Sequence, residues 1–223
     1  KVGVCLATSG PGATNLLTGL GTAMMDSVPV VAITGQVAQH LIGKDSFQEA
    51  DTIGFSLSST KYNYLVKDAE DIPAIVEEAF YIAQTGRPGP VLIDVPKDVL
   101  MQIVTKTKKP VVRKHVLKKL ATPKININQL NKAFEAIKKS KKPLIIAGGG
   151  IVIGRAEKEL QEVAQKLRIP VAVTLMGKGS YPSGDDLFLG MVGMHGTVKG
   201  NYSIQESDLI IAIGMRFTDR VVG

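Results

Sequence analysis

The sequence predicts an α/β protein made of two parallel-sheet units. Three observations carry that expectation. Short, near-continuous apolar runs alternate with stretches whose apolar residues recur at helical spacing, which is the pattern of parallel strands covered on both faces by helices. The alternation stops at a basic, proline-bracketed stretch and then begins again. A chain of 223 residues fits one large domain or two small ones, and the restart favours two.

In order, Val2 to Thr8 reads as a buried strand, with Cys5 a small buried hydrophobe within it. A glycine-rich turn leads to a helix over Asn15 to Met25, where Leu16, Leu20 and Met24 share one face. Val28 to Thr34 is the next buried strand, with Pro29 near its first position, where a missing N–H is tolerated. Tyr62 to Val66 is a third strand. Asp71 to Gln84 reads as a helix with Pro73 in its first turn, Ile75, Ala79 and Ile82 inward, and Gly86 as its stop. Val91 to Val95 is a fourth strand, apolar except for Asp94.

A first domain over residues 1–97 then gives way to a basic linker over 98–127, bracketed by Pro96, Pro110 and Pro123 and lacking any helical period. The second domain, 128–223, opens with a helix over Asn128 to Ser140 that turns Leu130, Phe134 and Ile137 inward. A strand over Pro143 to Ala147, a Gly148-Gly149-Gly150 turn, a helix over Arg155 to Leu167 and a strand over Pro170 to Thr174 follow. Asp208 to Ile213 is a further buried strand. The chain opens inside one strand and stops just after another, so it reads as an internal piece of something longer.

Composition removes several functions. No apolar run approaches the ~18–20 residues that cross a bilayer, and no secretory signal precedes the first strand, so the chain reads as cytoplasmic or as a mature organellar protein. A single cysteine builds neither a disulfide nor a zinc cluster. Between Lys106 and Lys142 stand 13 basic residues and one acid, so the basic balance is local. Those lysines lie among Thr, Pro and Val with almost no aromatics, which suits a solvated linker better than a nucleic-acid surface.

Ser9-Gly10-Pro11-Gly12-Ala13-Thr14-Asn15 sits where a strand hands over to a helix, and suits either an anion or polar ligand or a plain tight turn. No Gly-Lys-Ser/Thr follows it, so it is not a Walker loop. Gly148 to Gly154 is a second such turn, and it departs from the dinucleotide fingerprint because its third glycine is displaced to Gly154. His40, His115 and His195 have no ligand-spaced partners, and no Gly-x-Ser-x-Gly elbow or paired carboxylates occur. The loop from Gln36 to Asp51 is long, follows a buried strand and carries Gln36, Phe47, Gln48 and Glu49. In parallel sheets that is where function sits.

Ala7 to Asn15, Asp26 to Val37, Phe47-Gln48-Glu49, Gly86-Arg87-Pro88-Gly89-Pro90-Val91 and Asp94-Val95-Pro96-Lys97-Asp98 appear in that order. They continue through Gly148-Gly149-Gly150, Leu175 to Gly179, Gly193-Met194-His195-Gly196-Thr197 and Arg216 to Arg220. This series resembles the catalytic large subunit of the acetohydroxyacid (acetolactate) synthase family of thiamine-diphosphate enzymes, over almost the whole chain outside the basic stretch. The resemblance implies that the first unit is the later part of the domain holding the thiamine pyrimidine, and that the second is a Rossmann-like central domain holding FAD. It implies a condensation of pyruvate with pyruvate or 2-oxobutyrate, with loss of CO2, in branched-chain amino-acid synthesis.

By the same resemblance Gln48 lies at the thiamine and substrate site with Phe47 beside it, and Lys97 and Lys61 line the channel to the reacting carbon. Ser27 is implied as a cofactor-binding residue, and Arg87, Gly149, Thr174, Leu175, Met176, Gly177, Val192, Gly193, Met194, His195, Gly214, Met215, Arg216, Phe217 and Thr218 as contacts to FAD, where glycines at strand ends let the backbone approach a pyrophosphate. Asp219 and Arg220 stand at the junction with the substrate channel. Ala38, Ser46 and Thr218 depart from commoner residues of the family without removing a catalytic group. The family's activating glutamate falls before Lys1, and its metal motif, for Mg2+, falls after Gly223, so the chain alone is expected to be inactive. A homodimer or homotetramer and a regulatory small subunit are implied partners, with no nucleic acid and no membrane. A pyruvate oxidase or glyoxylate carboligase type of enzyme, or a non-catalytic dinucleotide-binding module, are the alternatives.

Overall fold

The computed structural model describes residues 1–106 and 125–222. The chain forms two compact units, Lys1–Pro123 and Lys124–Gly223, each with its own four-stranded sheet. Most of the basic stretch lies outside the described residues.

The first unit runs β1 (Gly3–Ala7), α1 (Pro11–Asp26), β2 (Val30–Gln36), α2 (Thr52–Ser56), β3 (Tyr62–Leu65), α3 (Ile72–Gln84), β4 (Val91–Pro96) and α4 (Lys97–Leu100). Its sheet has the order β1-β2-β4-β3 with every neighbouring pair parallel. All six residues of β4 are buried, as a central strand covered on both faces requires. Val31, Val91, Ile93, Ala79 and Ile82 pack on one face, and Leu20, Ala32 and Leu92 on the other. Each fully buried Leu or Ile contributes about 1.5–3 kcal/mol.

Several expectations are corrected here. α1 begins at Pro11, directly after Gly10 (φ 61), so most of the glycine-rich segment is the helix's first turn. β2 starts two residues late because Val28 donates its N–H back to the Ala23 carbonyl to close α1, and Pro29 has no N–H to pair. β1 is an edge strand, with Val4 and Leu6 exposed and Cys5 half-buried. Gln36 belongs to β2 rather than to the loop after it.

The second unit runs α5 (Ile127–Lys139), β5 (Pro143–Ala147), α6 (Gly149–Gly154), α7 (Glu157–Leu167), β6 (Val171–Val173), β7 (Phe188–Met191), α8 (Val198–Glu206), β8 (Leu209–Ile213) and α9 (Asp219–Val222). The order β7-β6-β5-β8 is again parallel throughout. Ile145, Leu160, Ala164, Ile169, Val171 and Val173 form the main core.

Here the glycine triplet is not a turn: Gly149 opens α6, which ends where Arg155 takes the left-handed conformation (φ 54) before α7. Leu130 and Phe134 of α5 are exposed, and only Ile137 packs on the core. β8 is a half-exposed edge strand, and β7 and α8 were not anticipated. No helix among the described residues is long and apolar enough to cross a membrane.

Candidate functional site

Parallel strands point their carboxyl ends one way, and loops leaving that edge are where open α/β sheets bind ligands. In the second unit every residue implied in cofactor contact follows a strand at that edge. Gly149 follows β5, Thr174 to Gly177 follow β6, Val192 to His195 follow β7, and Gly214 to Asp219 follow β8. Four strands thus bring together residues scattered over some 70 positions of sequence.

The loops cross one another closely. Gly148 donates its N–H to the Ile213 carbonyl (2.9 Å) and Gly150 to that of Gly214 (2.8 Å). A Cβ on Gly148 would stand 2.4 Å from the Gly214 oxygen, and one on Gly177 2.2 Å from the Ala147 oxygen. Those glycines let a neighbouring loop approach closely. Thr174, buried, accepts from the Gly177 N–H through Oγ1 (3.2 Å) and caps the short turn after β6.

The Gly193 segment is pinned twice. Asn201 of α8 accepts from the Gly193 N–H (2.9 Å) and donates to its carbonyl (3.0 Å), while Met194 donates to the Arg220 carbonyl (2.9 Å). Gly193 has φ 106, and a Cβ there would lie 2.2 Å from the Arg220 oxygen. The edge left facing outward carries exposed Leu175, Met176, Met194 and Phe217 beside exposed Arg216, Asp219 and Arg220, while Thr218 and Met215 are half-buried. Apolar side chains with a guanidinium suit a flat ring system that carries phosphate.

In the first unit, Gln48 stands on the turn between β1 and α1. A Cβ on Gly10 would lie 2.8 Å from the Gln48 carbonyl oxygen and 2.9 Å from its Cα, so only glycine lets the two backbones meet. Gln48 is exposed with φ 58, and Phe47 is 89% exposed. Glu49 accepts from the amides of Gly43 and Ser46, and these hold its carboxyl below the usual range. Lys97, at the carboxyl end of β4, shares this edge and is exposed.

Ser27, Lys61 and Arg87 lie elsewhere. All three precede strands and therefore occupy the amino edge of the sheet. Arg87 donates to Ser27 Oγ (2.9 Å) and to the carbonyls of Met24 and Met25 at the end of α1. Lys61 donates to the carbonyls of Ile82 and Thr85 at the end of α3, and burial, with Arg87 nearby, pushes its ammonium down to about 8. At about 3.3 Å of rise per residue, six-residue β4 holds Lys61 and Lys97 roughly 17–20 Å apart. Within this unit the two lysines stand at opposite edges of the sheet.

Residues that sequence reasoning missed sit behind the site. Asp94 is fully buried at the carboxyl end of β4, bonded to Thr34 (2.7 Å) and Gln36 (3.0 Å). Asp98 accepts from the N–H (3.0 Å) and Nε2 (3.2 Å) of Gln39. A lone acid in an apolar strand was the available signal for Asp94, and nothing local marked Asn201.

The family pattern described as "Thiamine pyrophosphate enzyme, N-terminal TPP binding domain" matches residues 1–55, and "Thiamine pyrophosphate enzyme, central domain" matches residues 130–223. The chain belongs to the thiamine pyrophosphate enzyme family. Its relatives include the acetolactate synthase large subunit of Cyanidium caldarium, 51% identical over all of this chain and 38% of that protein. The probable acetolactate synthase large subunit of Methanocaldococcus jannaschii is 50% identical over all of this chain and 38% of its own length. The acetolactate synthase of Mycobacterium bovis is 50% identical over all of this chain and 36% of its own length. The chain thus spans well under half the length of these curated relatives. In this family's terms, the Gln48 edge lies in the unit matched by the TPP-binding pattern, and the four-loop edge in the central domain.

Proposed function

We propose that the full-length protein is an acetolactate synthase, joining pyruvate to pyruvate or to 2-oxobutyrate with release of CO2 in the synthesis of isoleucine and valine. The observation that carries this reading is the 50–51% identity, over the whole chain, to proteins bearing that name. Thiamine diphosphate, when bound, supplies the carbon nucleophile and accepts the electron pair left by departing CO2. The chain's own residues place the reactants. Gln48 donates its side-chain amide to a substrate oxygen, Phe47 keeps water from the reacting carbon, and Lys97 brings a cation to the same edge.

In the central domain FAD is a structural cofactor, since the reaction has no net redox change. The Gly149, Thr174–Gly177, Val192–His195 and Gly214–Thr218 loops fit it by their apolar side chains and by Arg216, whose guanidinium suits the pyrophosphate. Asp219 and Arg220 stand where the flavin and the substrate path meet. Arg87 and Ser27, joined to each other at the amino edge of the first sheet, are read as cofactor-binding residues. Lys61 closes the end of α3 beside Arg87. Mg2+, a homodimer or homotetramer, a regulatory subunit and a cytoplasmic or organellar location complete the reading.

The test is acetolactate formation by the full-length protein. Product is expected from pyruvate only with thiamine diphosphate and Mg2+, and the purified protein should carry a flavin spectrum. Arg216→Ala should weaken FAD about ten- to a hundredfold, the worth of a charge-assisted contact, and leave thiamine affinity in place. Decarboxylation without carbon–carbon joining, or equal loss of both cofactors in Arg216→Ala, would reject it.

A further inference from the structure

The loop over residues 37–51, which carries Gln48, is closed at its neck by one side chain. Gln36, the last residue of β2 and buried, accepts the Val37 N–H through Oε1 (2.9 Å) and donates from Nε2 to the Ala50 carbonyl (2.8 Å), fourteen residues on. An amide is nearly symmetric in shape, so its two ends must be told apart by partners. Asp94 does this: its Oδ2 accepts from the same Nε2 (3.0 Å), and a flipped amide would set oxygen against carboxyl oxygen. Thr34 holds the other carboxyl oxygen through its hydroxyl (2.7 Å), and Thr52 Oγ1 stands 3.4 Å from Nε2. Downstream of this knot, Glu49 ties Gly43 and Ser46, and Gln48 follows in the left-handed conformation with its backbone on Gly10.

We propose that Gln36 is a positioning residue for Gln48: its amide, oriented by Asp94, closes the 37–51 loop and sets where Gln48 stands against the Gly10 turn. The geometric part is independent of function. Its kinetic consequence rests on the reading of Gln48 as a thiamine-site residue, so the test separates the two.

In the full-length protein Gln36→Met keeps side-chain length and removes every hydrogen bond. Amide hydrogen exchange at residues 43–49 should quicken at least tenfold, while Leu92 and Ile93 of β4 keep their protection. Turnover of pyruvate should fall in Gln36→Met as it does in Gln48→Ala, and the double variant should be no worse than the worse single, because one residue acts through the other. Gln36→Met deprives buried Asp94 of a partner, so the same measurements are made on Gln36→Met with Asp94→Leu, where both sides of that contact are apolar. Unchanged loop exchange, or a loss of protection spread equally over β4, overturns the proposal. So do kinetic losses that multiply in the double variant. Quickened loop exchange with wild-type kinetics in Gln48→Ala upholds the positioning by Gln36 and retires the thiamine-site role of Gln48.

Discussion

Asp94→Asn should change the pH dependence of stability of the first unit in a direction set by burial. Asp94 is fully buried, and the polar groups that face its carboxyl, the Thr34 and Thr52 hydroxyls and the Gln36 amide, are all neutral. Burial pushes the carboxyl up to about 6 from 3.8, against the pull of those hydrogen bonds. An acid whose folded value lies above its unfolded one binds more protons when folded. Its contribution is therefore complete below pH 3.8 and is lost as pH rises through 6. With each tenfold in proton affinity worth about 1.4 kcal/mol, the whole change is about 3 kcal/mol, roughly a hundredfold in the opening equilibrium.

The assay compares amide exchange at Leu92 and Ile93 in wild type and in Asp94→Asn at the same pH, so that intrinsic rates cancel. These residues are buried in β4 and report opening of the whole sheet. Wild-type protection relative to the variant should fall roughly sixtyfold between pH 4 and 7.5, because pH 4 already lies just above the unfolded value. A flat ratio, or one that rises with pH, would refute the reasoning. A rise would mean that Asp94 is held ionised by a partner the hydrogen-bond network does not contain.

Asn201→Ala removes both bonds to Gly193 and should speed exchange of the Gly193 and Met194 amides at a cost of about 1–3 kcal/mol, while β5 stays protected; no local change would show the clamp to be idle. Gly177→Ala drives a Cβ into the Ala147 carbonyl and should lower the melting of the second unit by at least about 1–3 kcal/mol, whereas an unshifted melt would mean the loops are not in contact. Cys5, whose thiol burial pushes up, should react with thiol reagents at pH 8 more slowly than a free cysteine, and equal rates would contradict its half-buried setting.

Much of the fold was written locally. β2, β4, β5 and β6 are near-continuous apolar runs because a central parallel strand is buried on both faces, and α3 is framed by Pro73 and Gly86, whose backbone preferences act at their own positions. The carboxyl-edge residues of the second unit were implied by the family resemblance and not by local pattern, and the strands they follow give them their common edge. β7 is not legible in the sequence because four half-buried residues, with Gly190 at φ 93 and a register shift beside β6, carry no clear period. The cap that opens α8, Thr197 accepting from the Gly200 N–H, was the signal that could have found the helix.

Distance was the part that only the tertiary structure decided. Lys61 and Lys97 flank strands that lie side by side, yet they stand at opposite ends of the sheet. Gln36 meets Asp94 across 58 positions of sequence because β2 and β4 pair in one register. Periodicity and turn chemistry are properties of neighbouring residues. Strand order and register come from pairing between segments far apart in the chain, and no single segment encodes which side chains that pairing will bring within hydrogen-bond reach.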